Sequence, residues 1–254
     1  MRTLLAYRMA QSTLAMVGAG IAAAVLLCGC SASPTAGALA EVSPPAQSQN
    51  AVDLAAQYAQ LASQGGRVFK LRPDLSAVRI YAFRAGPAAK FAHNHVLSAP
   101  EFDGFFYMPQ ADPSQSRFDF AFRLDQLAMD VPAHRAEAGP AFAKLLSDAD
   151  IESTREHMLG AGNLQADRYP YVRIHSLNIS GESPKFSVRL ALEMHGQTRE
   201  LWVPLTVTGL PEAIHASGSF VVRQTDFGVK PYAVLGGLIS VQDELIVDFS
   251  LVGE

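Results

Sequence analysis

The stretch Lys185–Val207, KFSVRLALEMHGQTRELWVPLTV, decides how the rest of the chain is read. Phe186, Val188, Leu190, Leu192 and Met194 alternate with Ser187, Arg189, Ala191, Glu193 and His195. A period of two places the apolar set on one face of a strand. The pattern breaks at Gly196-Gln197 and resumes with Leu201, Val203, Leu205 and Val207. A Gly at the first central position of a two-residue loop suits a type II′ turn, whose twist matches a hairpin. The stretch is therefore expected to be a long two-stranded ribbon with one apolar face. Such a ribbon is not stable alone in water and needs more sheet to cover it.

Strand patterns extend outward on both sides. Upstream, Val68–Leu71 and Ala77–Arg84 read as a first pair around Arg72-Pro73-Asp74. Phe91 to Leu97 and Gly104 to Met108 follow. Ser116 to Asp125 alternates cleanly, with Phe118, Phe120, Phe122 and Leu124 on one face and Arg117, Asp119, Ala121, Arg123 and Asp125 on the other. Pro132 to Gly162 changes texture and carries two helix-like pieces, near Pro140–Leu146 and Ile151–Leu159, before Tyr169-Pro170 ends the insert. Strands return at Tyr171–Ile179, in the central ribbon, at His215–Arg223 and at Leu245–Leu251. Eight or nine short-looped strands point to an antiparallel barrel or a sandwich rather than a parallel α/β sheet.

The N-terminal segment has a different character. Arg2 and Arg8 precede the apolar run Leu14–Leu27, as in a signal peptide. The following Leu27-Cys28-Gly29-Cys30 resembles a bacterial lipobox, in which cleavage precedes an acylated cysteine, here Cys30. Ser31 follows, with no Asp, which by the same resemblance implies sorting to the outer membrane. Ser31 to about Gln49 is rich in Ala, Ser and Pro and reads as a flexible tether. Asn50 is placed to cap a short helix through Leu61, with Gly65-Gly66 as its stop. That helix fits either the tether or the domain.

Bulk properties exclude several functions. The net charge of −4 argues against a nucleic-acid partner. Both cysteines, Cys28 and Cys30, lie in the leader, so the remaining chain has no internal disulfide and no cysteine-based metal or redox motif. No Gly-x-Ser-x-Gly, Walker-type loop or dinucleotide fingerprint occurs. Leu235-Gly236-Gly237-Leu238 precedes a strand and reads as a turn or bulge, not a phosphate cradle.

The chain from about Arg67 to Glu254 resembles the YceI-like family of bacterial proteins. The resemblance lies in Met158-Leu159, Leu164 and Arg168-Tyr169-Pro170-Tyr171-Val172-Arg173-Ile174-His175-Ser176. It continues through His195-Gly196-Gln197-Thr198-Arg199 with Val203-Pro204-Leu205, and Gly218-Ser219-Phe220. Arg223-Gln224-Thr225-Asp226-Phe227-Gly228 is its most recognisable piece, and Ala92-His93-Asn94-His95-Val96 is similar to a subgroup. Ala133–Ser153 matches only loosely. The resemblance implies an antiparallel lipocalin-like β-barrel; with the residue patterns, the expected fold is mainly all-β, a barrel with a short helical insert and a disordered N-terminal tether. The resemblance also implies an elongated apolar cavity that holds a polyisoprenoid lipid. The expected domains are residues 1–29 as lipoprotein signal peptide, 30–66 as lipidated tether with a short helix, and 67–254 as the barrel.

Candidate ligand-binding residues follow from both lines. Phe118, Phe120, Phe122, Leu190, Leu192 and Phe220 serve a core when read singly; the resemblance makes them a cavity lining. His93 and His95 share a face if extended, and form either a polar rim near a lipid head group or two metal ligands, with His157 or His175 as a third. Arg223, near Asp226 and Lys230, either meets a phosphate head or pairs with Asp226 to hold a turn. No cofactor, resident metal or catalytic residue is expected. The expected protein is a non-enzymatic lipid carrier, anchored in the outer membrane through Cys30 and facing the periplasm. The alternative is a metal-binding or metal-dependent protein built on His93 and His95.

Overall fold

The computed structural model describes residues 53–110 and 112–254. The signal segment, Cys30 and the tether up to residue 52 lie outside the described residues. The strands are β1 (Arg67–Lys70), β2 (Ala77–Ala85), β3 (His95–Ser98), β4 (Asp103–Met108), β5 (Arg117–Arg123), β6 (Ala128–Met129), β7 (Tyr171–Glu182), β8 (Lys185–Met194), β9 (Gln197–Thr208), β10 (Ile214–Arg223), β11 (Ala233–Val234) and β12 (Ile239–Gly253). The helices are α1 (Leu54–Ser63), α2 (Pro132–Glu137) and α3 (Asp148–Leu159). Every named strand pairing is antiparallel, in the order β1-β4-β5-β7-β8-β9-β10-β12-β2-β3-β6, with β11 on β12.

The sheet closes on itself where β1 meets the end of β12. The Lys70 N–H donates to the Glu254 carbonyl at 2.9 Å, and the Glu254 N–H returns a bond to Lys70 at 3.1 Å. Leu71 bridges Gly253. Eight strands thus complete a ring: β1, β4, β5, β7, β8, β9, β10 and β12. This corrects the expected pairing of the first two strands around Arg72-Pro73-Asp74. The connection is a single 3₁₀ turn, Pro73–Leu75, flanked by extended Arg72 and Ser76. It does not reverse the chain, so both strands run along the same edge of β12, where Ala77 pairs with Ser250. A reversal would have left the ring open.

The central ribbon forms in the expected register, with Leu190 opposite Leu201 and Val188 opposite Val203. Its turn differs from expectation. Met194 pairs with Gln197, so the two loop residues are His195 and Gly196, both at positive φ (52° and 72°). Positive φ at both positions is the requirement of a type I′ turn, not II′. Gly196 also lies against the Tyr169 ring, where a Cβ would come within 2.8 Å.

The helix before the barrel starts later than Asn50, which is outside the described residues. Asp53 caps it by accepting from the Ala56 N–H at 2.9 Å. It belongs with the sheet: Leu54 and Tyr58 pack on Phe105 and Tyr107 of β4. The Tyr58 hydroxyl donates to Asp119 on β5 at 2.8 Å. The insert is also redistributed. Pro140–Phe142 is a single 3₁₀ turn, α2 precedes it, and α3 begins at a Ser147–Asp150 capping box.

Candidate functional site

Strand alternation sends one face of the strands inward, and residues of β2 to β10 and β12 enclose a cavity of about 520 Å³. Phe118, Phe120 and Phe122 line it from β5, with Phe118 and Phe120 stacked at 6.3 Å and Phe122 edge-on to Phe120 at 6.0 Å. Leu190 and Leu192 line it from β8, and Phe220 from β10, 6.3 Å from Phe249 of β12. All six face the cavity. They are core and wall at once, because the same apolar cluster surrounds the space.

Most polar groups on the cavity surface lie on segments outside the ring's strand interiors, with Ser116, just before β5, apart from the rest. They include His93, His95, Ser153, His157, Asn163, Gln224 and Tyr232, from the β2–β3 connection and the start of β3, α3 and the residues after it, and the segment between β10 and β12. Most are held by local bonds. Asn163 donates through Nδ2 to the Lys230 carbonyl, and Gln224 through Nε2 to that of Gln242. His157 Nδ1 lies 2.6 Å from the Ser153 carbonyl, and its ring packs 5.0 Å from Tyr232.

His93 and His95 do share a face, with ring centroids 6.3 Å apart. Burial, then the charge of Lys144 and the neighbouring His95, hold the His93 imidazole below its ordinary pKa. Behind His95 stands a buried polar network. Its Nδ1 is 2.6 Å from Asp130 Oδ2. The other Asp130 oxygen accepts from the Val96 N–H at 3.0 Å and from Arg135 Nη1 at 2.5 Å. Arg135 also donates to the carbonyls of Asn94 and Lys144. The Asp130 side chain is 0% exposed. Burial pushes its carboxyl upward, but the bonds from His95, Val96 and Arg135 outweigh that and hold it below its ordinary value.

Three candidate residues are placed differently from the sequence's suggestion. Arg223 faces outward on β10, because its neighbour Val222 faces in. It pairs with Glu244 of β12 at 2.9 Å, not with Asp226, and stands away from the cavity lining. His175 is on the outer face of β7, opposite Asp119 and Ala191. Among the described residues no three His, Cys, Asp or Glu side chains gather as a metal would require, so neither His157 nor His175 joins the His93–His95 pair. Asp130 and Arg135 carried no signal in the sequence, and Asn94 stood out only as part of the Ala92–Val96 segment. Asp130 is 35 residues from His95, and only the pairing of β3 with β6 brings them together.

A closed eight-strand antiparallel ring around an apolar cavity defines a lipocalin-like barrel. The model of the YceI-like domain matches residues 69–253, and the chain belongs to that family. Among solved structures, BcnA of Burkholderia cenocepacia is similar with a TM-score of 0.54 and 14% identity, over 72% of this chain and 99% of that one. The Campylobacter jejuni YCEI protein gives a TM-score of 0.45 and 10% identity, over 62% and 84%. No curated protein matches the chain.

Proposed function

We propose that the protein is a carrier for an apolar lipid of the polyisoprenoid type. The single observation supporting this is the 520 Å³ apolar-walled space inside the barrel. Its size falls within the roughly 300–1,000 Å³ of small-molecule sites. Binding is by burial, since each CH₂ removed from water contributes about 0.8 kcal/mol. A tail of several isoprene units needs few polar contacts. The protein acts by sequestering its cargo, not by transforming it. Cys30 carries the lipid anchor, and the barrel works at the periplasmic face of the outer membrane; the lipobox-like LCGC and Ser31 support this placement.

The test is solvent extraction of the purified protein followed by mass spectrometry, beside the variant Ala216→Phe. Ala216 lines the cavity from β10, so a phenyl ring there takes up the cargo's space. An isoprenoid-type lipid recovered from the wild type, and markedly less from Ala216→Phe at unchanged secondary structure, is the expected result. A barrel that yields no lipid and takes up none when offered it sinks the carrier function.

A further inference from the structure

We propose that His95 is the docking point for the cargo's head group, and that this head group is a hydroxyl. This rests on the carrier function above and specifies its ligand. In a cavity walled by phenylalanine and leucine, His95 is set apart by how it is held. Asp130 is wholly enclosed and accepts from Val96 and Arg135 as well as contacting His95 Nδ1. Its carboxyl is kept ionised, below the ordinary value, so it is an acceptor only. The proton between the two groups therefore belongs to His95 Nδ1. This fixes the ring's orientation and leaves Nε2 as its one remaining polar atom. Among the described residues Nε2 has no partner, and His95 lies on the cavity surface with its side chain 14% exposed.

The support behind the imidazole is more elaborate than a wall residue needs. Asp130 adopts a left-handed backbone, φ 53°, a region non-glycine residues seldom occupy. Such a conformation persists where its surroundings over-determine it, and it is found preferentially at functional sites. Arg135 does not serve an anionic head, because it is buried, stands outside the cavity lining and holds Asn94, Asp130 and Lys144. Arg223 faces away. A hydroxyl can either donate to a ring nitrogen or accept from its N–H, and an alcohol at the end of an apolar tail supplies one. The exposed cation whose charge reaches this corner is Lys144, through its effect on His93; Arg135, which also acts on His93, is buried. An anionic head drawn by Lys144 is the competing outcome.

The experiment is titration of the delipidated full chain with farnesol, farnesyl methyl ether and farnesyl phosphate, which share a tail. Farnesol is expected to bind roughly tenfold tighter than the ether, the worth of one satisfied hydrogen bond, and tighter than the phosphate. In His95→Phe the alcohol and the ether should bind alike. Equal binding of alcohol and ether by the wild type overturns the proposal while leaving the carrier function intact, and needs no variant to fold. Tightest binding of the phosphate overturns it in favour of an anion site at Lys144. A preference for alcohol that survives in folded His95→Phe removes His95 from the role. Failure of all three probes to bind overturns both the head-group site and the carrier function.

Discussion

Asp130 is where one residue carries most consequence. It is enclosed, ionised and bonded to three other residues at once. Removing one partner of a buried charged set typically costs roughly 3–5 kcal/mol, because the remaining charge is left uncompensated. Asp130→Asn, which leaves Arg135 without its counter-charge, is expected to lose stability of that order near neutral pH. The sign with pH follows from the direction of its shift. A carboxyl held below its unfolded value stabilises the fold above that value, and the contribution is lost as pH falls through the folded value. The gap between wild type and Asp130→Asn in denaturant titrations should therefore be full at about pH 6 and narrow once pH drops below the ordinary 3.8. A gap that stays constant into strong acid would show that Asp130 acts through packing rather than charge.

At the scale of the element, the β8–β9 hairpin holds the wall of the cavity and gives the sharpest test of register. Val203 and Trp202 are neighbours on β9, one facing the interior at 1% exposure and the other facing solvent at 56%. Val203→Asp places a charge among apolar side chains and should cost more than about 4 kcal/mol, or prevent folding. Trp202→Asp should change stability by no more than about 0.5 kcal/mol. Reversed outcomes in thermal melts would mean a slip of one residue, which swaps the two faces. The turn of the same hairpin has its own signature. Gly196→Ala must hold a methyl group at φ 72° against the Tyr169 ring, and a loss of about 1–3 kcal/mol is expected by chemical denaturation. An unchanged midpoint would show that the turn can relax to another type.

For the whole molecule, the prediction concerns attachment. Two or more acyl chains are enough for stable membrane anchoring. If Cys30 is the lipidated residue, Cys30→Ser should leave an unlipidated protein in the soluble fraction of cells that retain the wild type in the membrane. Membrane retention of Cys30→Ser at the processed mass would remove the anchor from the proposed function. The barrel is expected to fold equally well in either case, because its closure by β1 on β12 involves only residues from Lys70 onward.

What the sequence determined by itself is everything that depends on near neighbours. The period of two in Phe118–Phe122 and in Phe186–Met194 set the inward faces, because successive side chains on a strand point to opposite sides wherever the strand ends up. The Ser147–Asp150 cap is local too, both partners lying within one turn, though it sits inside a stronger Ala and Leu pattern. The His195-Gly196 turn could be bracketed only to within a residue, since Gly fits both type I′ and type II′ and the choice depends on which residues pair. What only the tertiary structure decided is whatever requires distant segments to meet. Whether Pro73 reverses the chain or lets it run on is settled by the edge of β12. Arg223 chose Glu244 over Asp226 because pairing across the sheet brings Glu244 alongside, while the turn carries Asp226 away. The Asp130–Arg135 support for His95 exists only once β3 pairs with β6. Local pattern can place a side chain on a face, but a buried charge is stabilised only by the partners the closed barrel brings to it.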